Sequence, residues 1–255
     1  MEINKIYNEN CLDTMAKMPD GFVDLTVTSP PYDNLRTYNG YSFDFEAVAK
    51  ELYRVTKQGG VVVWVVGDAT INGSETGTSF KQALYFKEIG FNLHDTMIYA
   101  KSNPTPYHHN RYNPAFEYMF VFSKHKPKTF NPIQTQTQRK RAGTFRYPDG
   151  SLRIANAPEP REWKMLDNIF YYSVGTDRQA KEHPAVFPEQ LANDHIISWS
   201  NEGDLVYDPF MGSGTTAKMA IINKRNWIGS EISKEYCEIA EKRILAEDIM
   251  KILTC

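Results

Sequence analysis

Four consecutive residues near the start of the chain, Ser29-Pro30-Pro31-Tyr32, could hold an amino group that is attached to a planar heterocycle. Each proline fixes its own φ, removes a backbone donor and pushes the preceding residue into an extended conformation, so the carbonyls here are not used in a helix. The Ser29 hydroxyl and the Pro30 carbonyl could therefore accept two hydrogen bonds from an NH₂ group, and the Tyr32 ring could stack on the heterocycle. A rigid loop after a strand is the alternative interpretation of this tetrapeptide alone.

A second motif lies near the other end of the chain, where Asp208-Pro209-Phe210-Met211-Gly212-Ser213-Gly214-Thr215-Thr216 separates a predicted strand from a predicted helix. Its glycines would let a ligand approach the backbone closely. Glu231 ends the next predicted strand, about 17 residues past Gly214. An acid at this place can accept hydrogen bonds from both hydroxyls of a ribose, as in dinucleotide-binding folds.

With both motifs present, the sequence resembles the β class of DNA amino-methyltransferases, in which the catalytic motif precedes the S-adenosylmethionine motif. The segment His183-Pro184-Ala185-Val186-Phe187-Pro188 adds to this resemblance, which covers most of the chain and is weakest from about 124 to 165. The resemblance implies S-adenosylmethionine as the cofactor, S-adenosylhomocysteine as the product and no metal.

In this resemblance, the catalytic corner Ser29, Pro30, Pro31 and Tyr32 receives a base that has been flipped out of double-stranded DNA. Positioning is the main task of such an enzyme, because the methyl group on a sulfonium is already an activated electrophile. Ser29 and the His-Pro-Ala-x-Phe-Pro stretch resemble the branch that methylates cytosine N4, and adenine N6 is the alternative target. Two further functions stay open, namely methylation of RNA or of a protein amide, and nucleic-acid binding without catalysis.

The resemblance assigns a larger set of residues to the cofactor, from the corner after the first strand, the end of the second strand, the 183–188 turn, the glycine turn and the strand after it. They are Asn10, Cys11, Thr28, His183, Pro184, Phe187, Asp208, Pro209, Phe210, Gly212, Gly214, Thr215 and Glu231. Related enzymes usually carry Gly-Asp where this chain has Glu9-Asn10, so a simple turn role is the alternative for Asn10.

The residues that we expect to contact DNA are basic, and most lie between Tyr118 and Pro148, a stretch without Asp or Glu. They are Arg36, Lys124, Lys126, Lys128, Arg139, Lys140, Arg141 and Arg146. The net charge of the chain is only −2, so the indication comes from this local basic patch. A solvated basic face is the alternative interpretation.

The elements that must position these groups alternate between strands and helices, which predicts an α/β, doubly wound, mostly parallel sheet. The resemblance makes it a sheet of the class I methyltransferase type with an inserted target-recognition segment. We expect strands at 3–7, 23–27, 61–66, 92–101, 116–122, 204–208 and 227–231, and helices at 12–18, 45–56, 79–89, 189–200, 217–224 and 233–252. Gly59 and Gly60 are expected to stop the second helix.

The length of 255 residues fits one α/β domain with an insertion. We predict the catalytic part in 1–123 and the cofactor-binding part of the same domain in 178–255. Between them, 124–177 loses both the strand and the helix period, and a segment of this kind is usually functional or disordered. The resemblance makes 124–177 the target-recognition insertion.

Several classes of protein are not indicated by the sequence. The three cysteines are far apart and show no metal-ligand spacing, and His108 and His109 have no third ligand at a suitable spacing. The chain has neither a leader segment nor an apolar run near 18 residues, so we expect a cytoplasmic protein without a membrane span. The resemblance allows a homodimer and a cognate restriction endonuclease as partners.

Overall fold

The structure of the protein is a computed structural model that describes residues 1–31, 44–104, 106, 110–137, 144–154, 162–173 and 188–253. At 144–145, 153–154 and 246–253 it describes the backbone alone. The strands are β1 Lys5–Tyr7, β2 Val23–Thr28, β3 Thr56–Val66, β4 Thr70–Ile71, β5 Ser74–Glu75, β6 Asn92–Lys101, β7 Phe116–Ser123, β8 Gln134–Gln136, β9 Thr144–Arg146, β10 Leu152–Ile154, β11 Trp163–Met165, β12 Ile169–Tyr172, β13 Leu205–Asp208 and β14 Asn226–Ser230. The helices are α1 Cys11–Ala16, α2 Phe45–Val55, α3 Thr78–Glu88, α4 Glu189–Trp199, α5 Thr215–Ile222 and α6 Lys234–Leu253.

The central sheet has the strand order β1-β14-β13-β2-β3-β7-β6-β12. Only β7 runs antiparallel to its neighbours, β3 and β6, and the other pairings are parallel. This arrangement confirms the predicted doubly wound, mostly parallel sheet. The continuous apolar run in β3 explains its central place, because such a strand must be covered on both faces.

Helices cover the two faces of the sheet, and β3 contributes to the core on each side. Val63 and Val65 pack in one cluster with apolar residues of α4, α5 and α6. Trp64 lies between them in the chain and packs in the other cluster with residues of α1, α2 and α3. The alternation follows from the period of two in a strand, so one apolar run supplies two cores.

A crevice is expected between β13 and β2, because the strand order reverses there. The chain leaves β2 through α2 towards β3, and it leaves β13 through α5 towards β14 on the opposite side. Parallel strands whose connections diverge in this way open a crevice at their carboxyl ends, where α/β proteins bind ligands. The pairing of Tyr207 with Thr26 brings the ends of both strands, and therefore both sequence motifs, to this crevice.

Gly59 and Gly60 do not end α2 as predicted, because the helix ends at Val55 and both glycines lie inside β3. Gly59 has a φ of +77°, and the pairing of β2 with β3 shifts its register between Val23 and Leu25. A Cβ on Gly60 would lie 3.0 Å from the Asp24 carbonyl oxygen. The glycines thus permit an irregular, close approach of two strands, which is a common role of glycine within a sheet.

The segment 124–177 contains regular structure that the sequence did not predict. β8 pairs with β11 and β9 with β10, each antiparallel, whereas β12 joins the central sheet beside β6. Pro132–Asp167 forms a separate compact unit, narrower than the predicted insertion, and 1–131 with 168–255 form the other unit. The strands within the insertion have only three residues each, too few to show a period in the sequence.

Candidate active site

The floor of the crevice is a buried hydrogen-bond network centred on Asp208. The Thr28 hydroxyl donates to Asp208 Oδ1 at 2.6 Å, and the Thr216 hydroxyl donates to Asp208 Oδ2 at 2.7 Å. The backbone N–H of Phe210 also donates to Oδ1, at 3.0 Å. Thr28 ends β2, just before the Ser29–Tyr32 motif, and Thr216 lies at the start of α5. The network therefore joins the residue before the first motif to both ends of the glycine motif, Asp208 and Thr216.

Burial raises the pKa of Asp208 to about 6, although the hydrogen bonds from Thr28, Thr216 and Phe210 lower it. The side chains of Thr28 and Asp208 are inaccessible, with 0% and 1% of each residue exposed. Both residues were predicted to contact the cofactor. Because they do not reach the crevice surface, we reassign them to a positioning role beneath it.

The glycine turn and Glu231 form a cradle next to this floor. Glu231 accepts hydrogen bonds from the backbone N–H groups of Gly212, at 2.9 Å, and Ser233, at 2.8 Å. Gly212 and Gly214 have φ angles of +52° and +82°, which favour glycine. Burial raises the pKa of Glu231. Each carboxylate oxygen keeps a further lone pair, so Glu231 can still accept hydrogen bonds from two ribose hydroxyls.

This cradle fits S-adenosylmethionine in its donor and acceptor chemistry. Glu231 supplies oxygen acceptors for the sugar, and the glycine turn supplies backbone without side chains for close approach. Pro209 and Thr215 are buried, and the Thr215 hydroxyl accepts from Arg243 at 3.3 Å. These two predicted cofactor residues therefore support the turn from within. Phe210 is partly exposed, so a ligand in the crevice can contact its ring.

The corner after β1 contacts Glu231 through one side chain and caps α1 with another. Asn8 donates to the Glu231 carbonyl at 2.8 Å, whereas the Asn10 side chain accepts from Leu12 N at 2.9 Å and caps α1. The turn role accounts for this oxygen of Asn10. Cys11 is 6% exposed, and burial raises the pKa of its thiol to about 12. Cys11, a predicted cofactor residue, is therefore part of the core.

The described part of the catalytic corner follows β2 directly at the edge of the crevice. Ser29 and Pro31 are partly exposed and Pro30 is buried. On the neighbouring strand β3, Trp64 pairs with Thr28, and its ring contacts Phe210 edge-on at a centroid distance of 6.2 Å. The corner is thus tied to the cofactor turn by an aromatic contact as well as by the Thr28 hydrogen bond.

Three predicted DNA-binding lysines, Lys124, Lys126 and Lys128, lie at the opposite edge of the sheet from this corner. They follow β7, which runs antiparallel to β3 and so ends at the edge where β3 begins. Lys124 Nζ donates to the carbonyls of Tyr53 and Thr56 at 2.8 and 3.1 Å, at the carboxyl end of α2. These bonds give Lys124 a role at the helix end, where a cation is stabilising. From the position of all three lysines at this edge we infer that they do not contact DNA.

The remaining predicted residues divide between the second unit and parts of the chain that the structure does not describe. Arg146 is exposed in the compact unit Pro132–Asp167. The predicted residues outside the described part of the chain are Tyr32, Arg36, His108, His109, Arg139, Lys140, Arg141, His183, Pro184 and Phe187. Among the described residues, no three His, Cys, Asp or Glu side chains are grouped to hold a metal ion. No described helix is long and apolar enough to cross a membrane.

Two residues of the site escaped the sequence analysis. Thr216 belongs to the glycine turn motif. The sequence could have indicated its role, because it places a hydroxyl in the first turn of a helix shortly after an acid that ends a buried strand. Arg243 is 5% exposed and donates to Ser213 O at 2.6 Å. The sequence could have indicated Arg243, because it follows Ala240 by three residues and so shares a face of α6 with apolar residues.

Comparisons with known proteins identify the family of the chain. A family model described as DNA methylase, of the N6/N4 type, matches residues 23–242. The orphan methyltransferase M.BamHII of Bacillus amyloliquefaciens is 58% identical over 237 residues, which cover 88% of this chain and 89% of that protein. The type II methyltransferase M.BglII of Bacillus subtilis is 27% identical over 254 residues, which cover 96% of this chain and 70% of that protein.

Solved structures share the fold over nearly the whole chain. PvuII DNA methyltransferase (cytosine-N4-specific) has a TM-score of 0.73 at 21% identity, covering 95% of this chain and 86% of that one. M1.HpyAVI in complex with SAM has a TM-score of 0.65 at 23% identity, covering 94% of this chain and 98% of that one. At these identities the likeness establishes the fold alone.

Proposed function

The chain belongs to the N6/N4 family of DNA methylases and is an S-adenosylmethionine-dependent DNA methyltransferase, and from this we propose that it methylates the exocyclic N4 of a flipped-out cytosine in double-stranded DNA. The observation that carries the proposal is the Thr28–Asp208 hydrogen bond, because it holds the corner Ser29–Pro31 against the glycine turn. Ser29 in the first position of the corner supports cytosine as the target. The His183–Pro188 stretch supports it by family resemblance.

Ser29 and Pro30 act by positioning the amino group. The nitrogen lone pair of a cytosine N4 is delocalised into the ring, so the free amine is a poor nucleophile. With the Ser29 hydroxyl and the Pro30 carbonyl oxygen as acceptors of its two N–H groups, the nitrogen is oriented and its lone pair is directed out of the ring plane. When bound, the cofactor supplies an activated methyl group. The nitrogen loses one proton when it takes the methyl group, and solvent next to the partly exposed Ser29 would accept that proton.

The network under the crevice keeps the two reacting partners at a fixed separation. Asp208 accepts from Thr28 on the side of the base and from Phe210 N on the side of the cofactor. A ligand misplaced by about 1 Å can lose about a hundredfold in rate. Rigid, buried bonds are therefore better suited to this task than flexible surface contacts.

Adenine N6 is the second candidate target. Its amino group presents the same two hydrogens, so the acceptors Ser29 and Pro30 could hold it in the same way. DNA as the substrate follows from the family, and double-stranded DNA is part of our proposal, whereas RNA or a protein amide would require an unusual member. The 58% identical relative is named an orphan methyltransferase, and the relative from Bacillus subtilis is named a type II methyltransferase. A cognate endonuclease, a homodimer and a cytoplasmic location remain predictions.

Single-turnover methylation of duplex DNA by the Ser29→Ala variant tests the role of the corner. We expect the rate to fall by an amount corresponding to about 2–4 kcal/mol, with little change in the affinity for DNA or cofactor. Ser123→Ala is the matched control, because Ser123 is a buried serine at the opposite edge of the sheet and donates to His125 O. Equal losses in both variants, or a Ser29→Ala effect through binding alone, would refute the role of the corner.

A further inference from the structure

The last helix of the described chain, α6, contacts both parts of the cofactor cradle from behind. Just before the helix, the N–H of Ser233 donates to Glu231 Oε1 at 2.8 Å. Two turns later, a Cβ on Gly214 would lie 2.9 Å from the Cβ of Ala240, so the glycine turn packs directly on the helix. A residue on the same face as Ala240 can therefore act on the backbone of the turn.

Arg243 is such a residue, since positions three apart share one face of a helix. Its Nη1 donates to Ser213 O at 2.6 Å, to Ser213 Oγ at 2.9 Å and to Thr215 Oγ1 at 3.3 Å. The side chain is 4% exposed. A buried guanidinium is costly to desolvate and persists where its hydrogen bonds are well formed.

The second nitrogen of the guanidinium reaches the start of another helix. Nη2 of Arg243 donates to Glu189 Oε1 at 2.9 Å, and Glu189 is the first residue of α4. Lys218 Nζ on α5 contacts the same oxygen at 2.8 Å. Glu189 follows the segment 183–188, so Arg243 links the glycine turn to the beginning of α4.

We propose that Arg243 is a positioning residue for cofactor binding, which fixes the Ser213 backbone and so shapes the glycine turn before the cofactor arrives. The inference rests on the proposed cofactor cradle at Gly212–Gly214. A turn that is ordered in advance loses less conformational freedom on binding, so affinity depends on the bonds that order it. Lysine at this position keeps the charge but lacks the planar fork that serves Ser213 and Glu189 together.

The test compares Arg243→Lys with Arg225→Lys in the full chain. Arg225 is the matched control, because its guanidinium also donates to backbone carbonyls, Ser200 O and Asn223 O, each at 2.6 Å. Arg225 precedes β14, at the sheet edge away from Glu231. We expect both variants to melt at lower temperature, but only Arg243→Lys to raise the Kd for S-adenosylmethionine in calorimetry, by about tenfold or more.

Kinetics give a second readout that a purely structural role would not move. Arg243→Lys should raise KM for the cofactor by the same factor while kcat at saturating cofactor stays near the wild-type value. A lower melting temperature with unchanged Kd and KM would overturn the proposal. If Arg243→Lys does not fold, Glu189→Gln replaces it, with about a threefold rise in Kd expected from the weaker ion pair. An unchanged Kd in that variant would also overturn it.

Cofactor binding by a Gly212→Val variant, measured beside Arg243→Lys, shows whether a negative result refutes the role of Arg243 or the cradle itself. Loss of cofactor binding in Gly212→Val together with wild-type affinity in Arg243→Lys refutes only the role of Arg243. Wild-type affinity in Gly212→Val refutes the cradle itself, and the inference about Arg243 fails with it.

Discussion

Thr28 and Asp208 are 180 positions apart in the chain, and the hydroxyl of the first donates a 2.6 Å hydrogen bond to the carboxylate of the second. One residue immediately precedes the catalytic corner, and the other begins the turn of the cofactor cradle. Both are buried. The bond therefore joins the two halves of the proposed site directly.

Replacing Thr28 by Val should slow methyl transfer while leaving folding largely intact. The change removes the donor to Asp208 and leaves a buried acceptor less satisfied, which costs about 1–3 kcal/mol. We expect a rate about tenfold lower in single-turnover experiments at saturating cofactor and DNA. Thr26→Val is the matched control on the same strand, because Thr26 Oγ1 is buried and has no hydrogen-bond partner within the described chain. A similar rate loss in Thr26→Val would contradict the account.

Asp208 should make the stability of the protein depend on pH near 6. Burial raises its pKa from the ordinary 3.8 to about 6, so the folded state holds the proton more tightly than the unfolded chain. Stability from this group is fully present below the unfolded pKa and is lost as pH rises through the folded pKa.

Comparison with Asp208→Asn isolates this contribution. Between pH 7.5 and pH 5, the free energy of unfolding of the wild type should increase relative to the variant by about 1–1.5 kcal/mol. Chemical denaturation at both pH values measures it. A difference that stays constant, or moves in the opposite direction, would show that the carboxylate is not strained by burial.

Gly212→Val should abolish binding of S-adenosylmethionine. The residue has a φ of +52°, and its N–H donates to Glu231, so a branched side chain would distort the turn and block close approach of a ligand. Gly203→Val carries a comparable backbone strain, with a φ of +84° and no atom within 4 Å of an added Cβ. Calorimetry should find the Gly203 variant less stable but able to bind the cofactor.

Two triple substitutions distinguish the halves of the basic stretch. Neutralising Arg139, Lys140 and Arg141 should weaken DNA binding and reduce the slope of log K against log salt, by about 0.9 for each phosphate that the protein no longer neutralises. Neutralising Lys124, Lys126 and Lys128 should leave that slope unchanged, because these lysines lie at the far edge of the sheet. Equal slopes in the two variants and the wild type would mean that neither half contacts phosphates.

The sequence predicts the sheet and the meeting of the two motifs, because apolar runs identify central strands and α/β connections bring their ends together. β6 was predicted with its observed ends, 92–101. The edge at which Lys124 lies was not predictable, since it depends on β7 running antiparallel to β3. From the sequence alone, Asp208 could contact the cofactor or support the turn from beneath. Its burial against Thr28 and Thr216 distinguishes the two roles.

The identity of the methylated nucleoside tests the central claim most directly. Unmethylated duplex DNA is incubated with the purified protein and S-adenosylmethionine, digested to nucleosides and analysed by mass spectrometry against standards. The account predicts N4-methyldeoxycytidine, with the signal greatly reduced by Ser29→Ala. N6-methyldeoxyadenosine as the product, or duplex DNA left unmethylated by a folded protein that binds the cofactor, would contradict it.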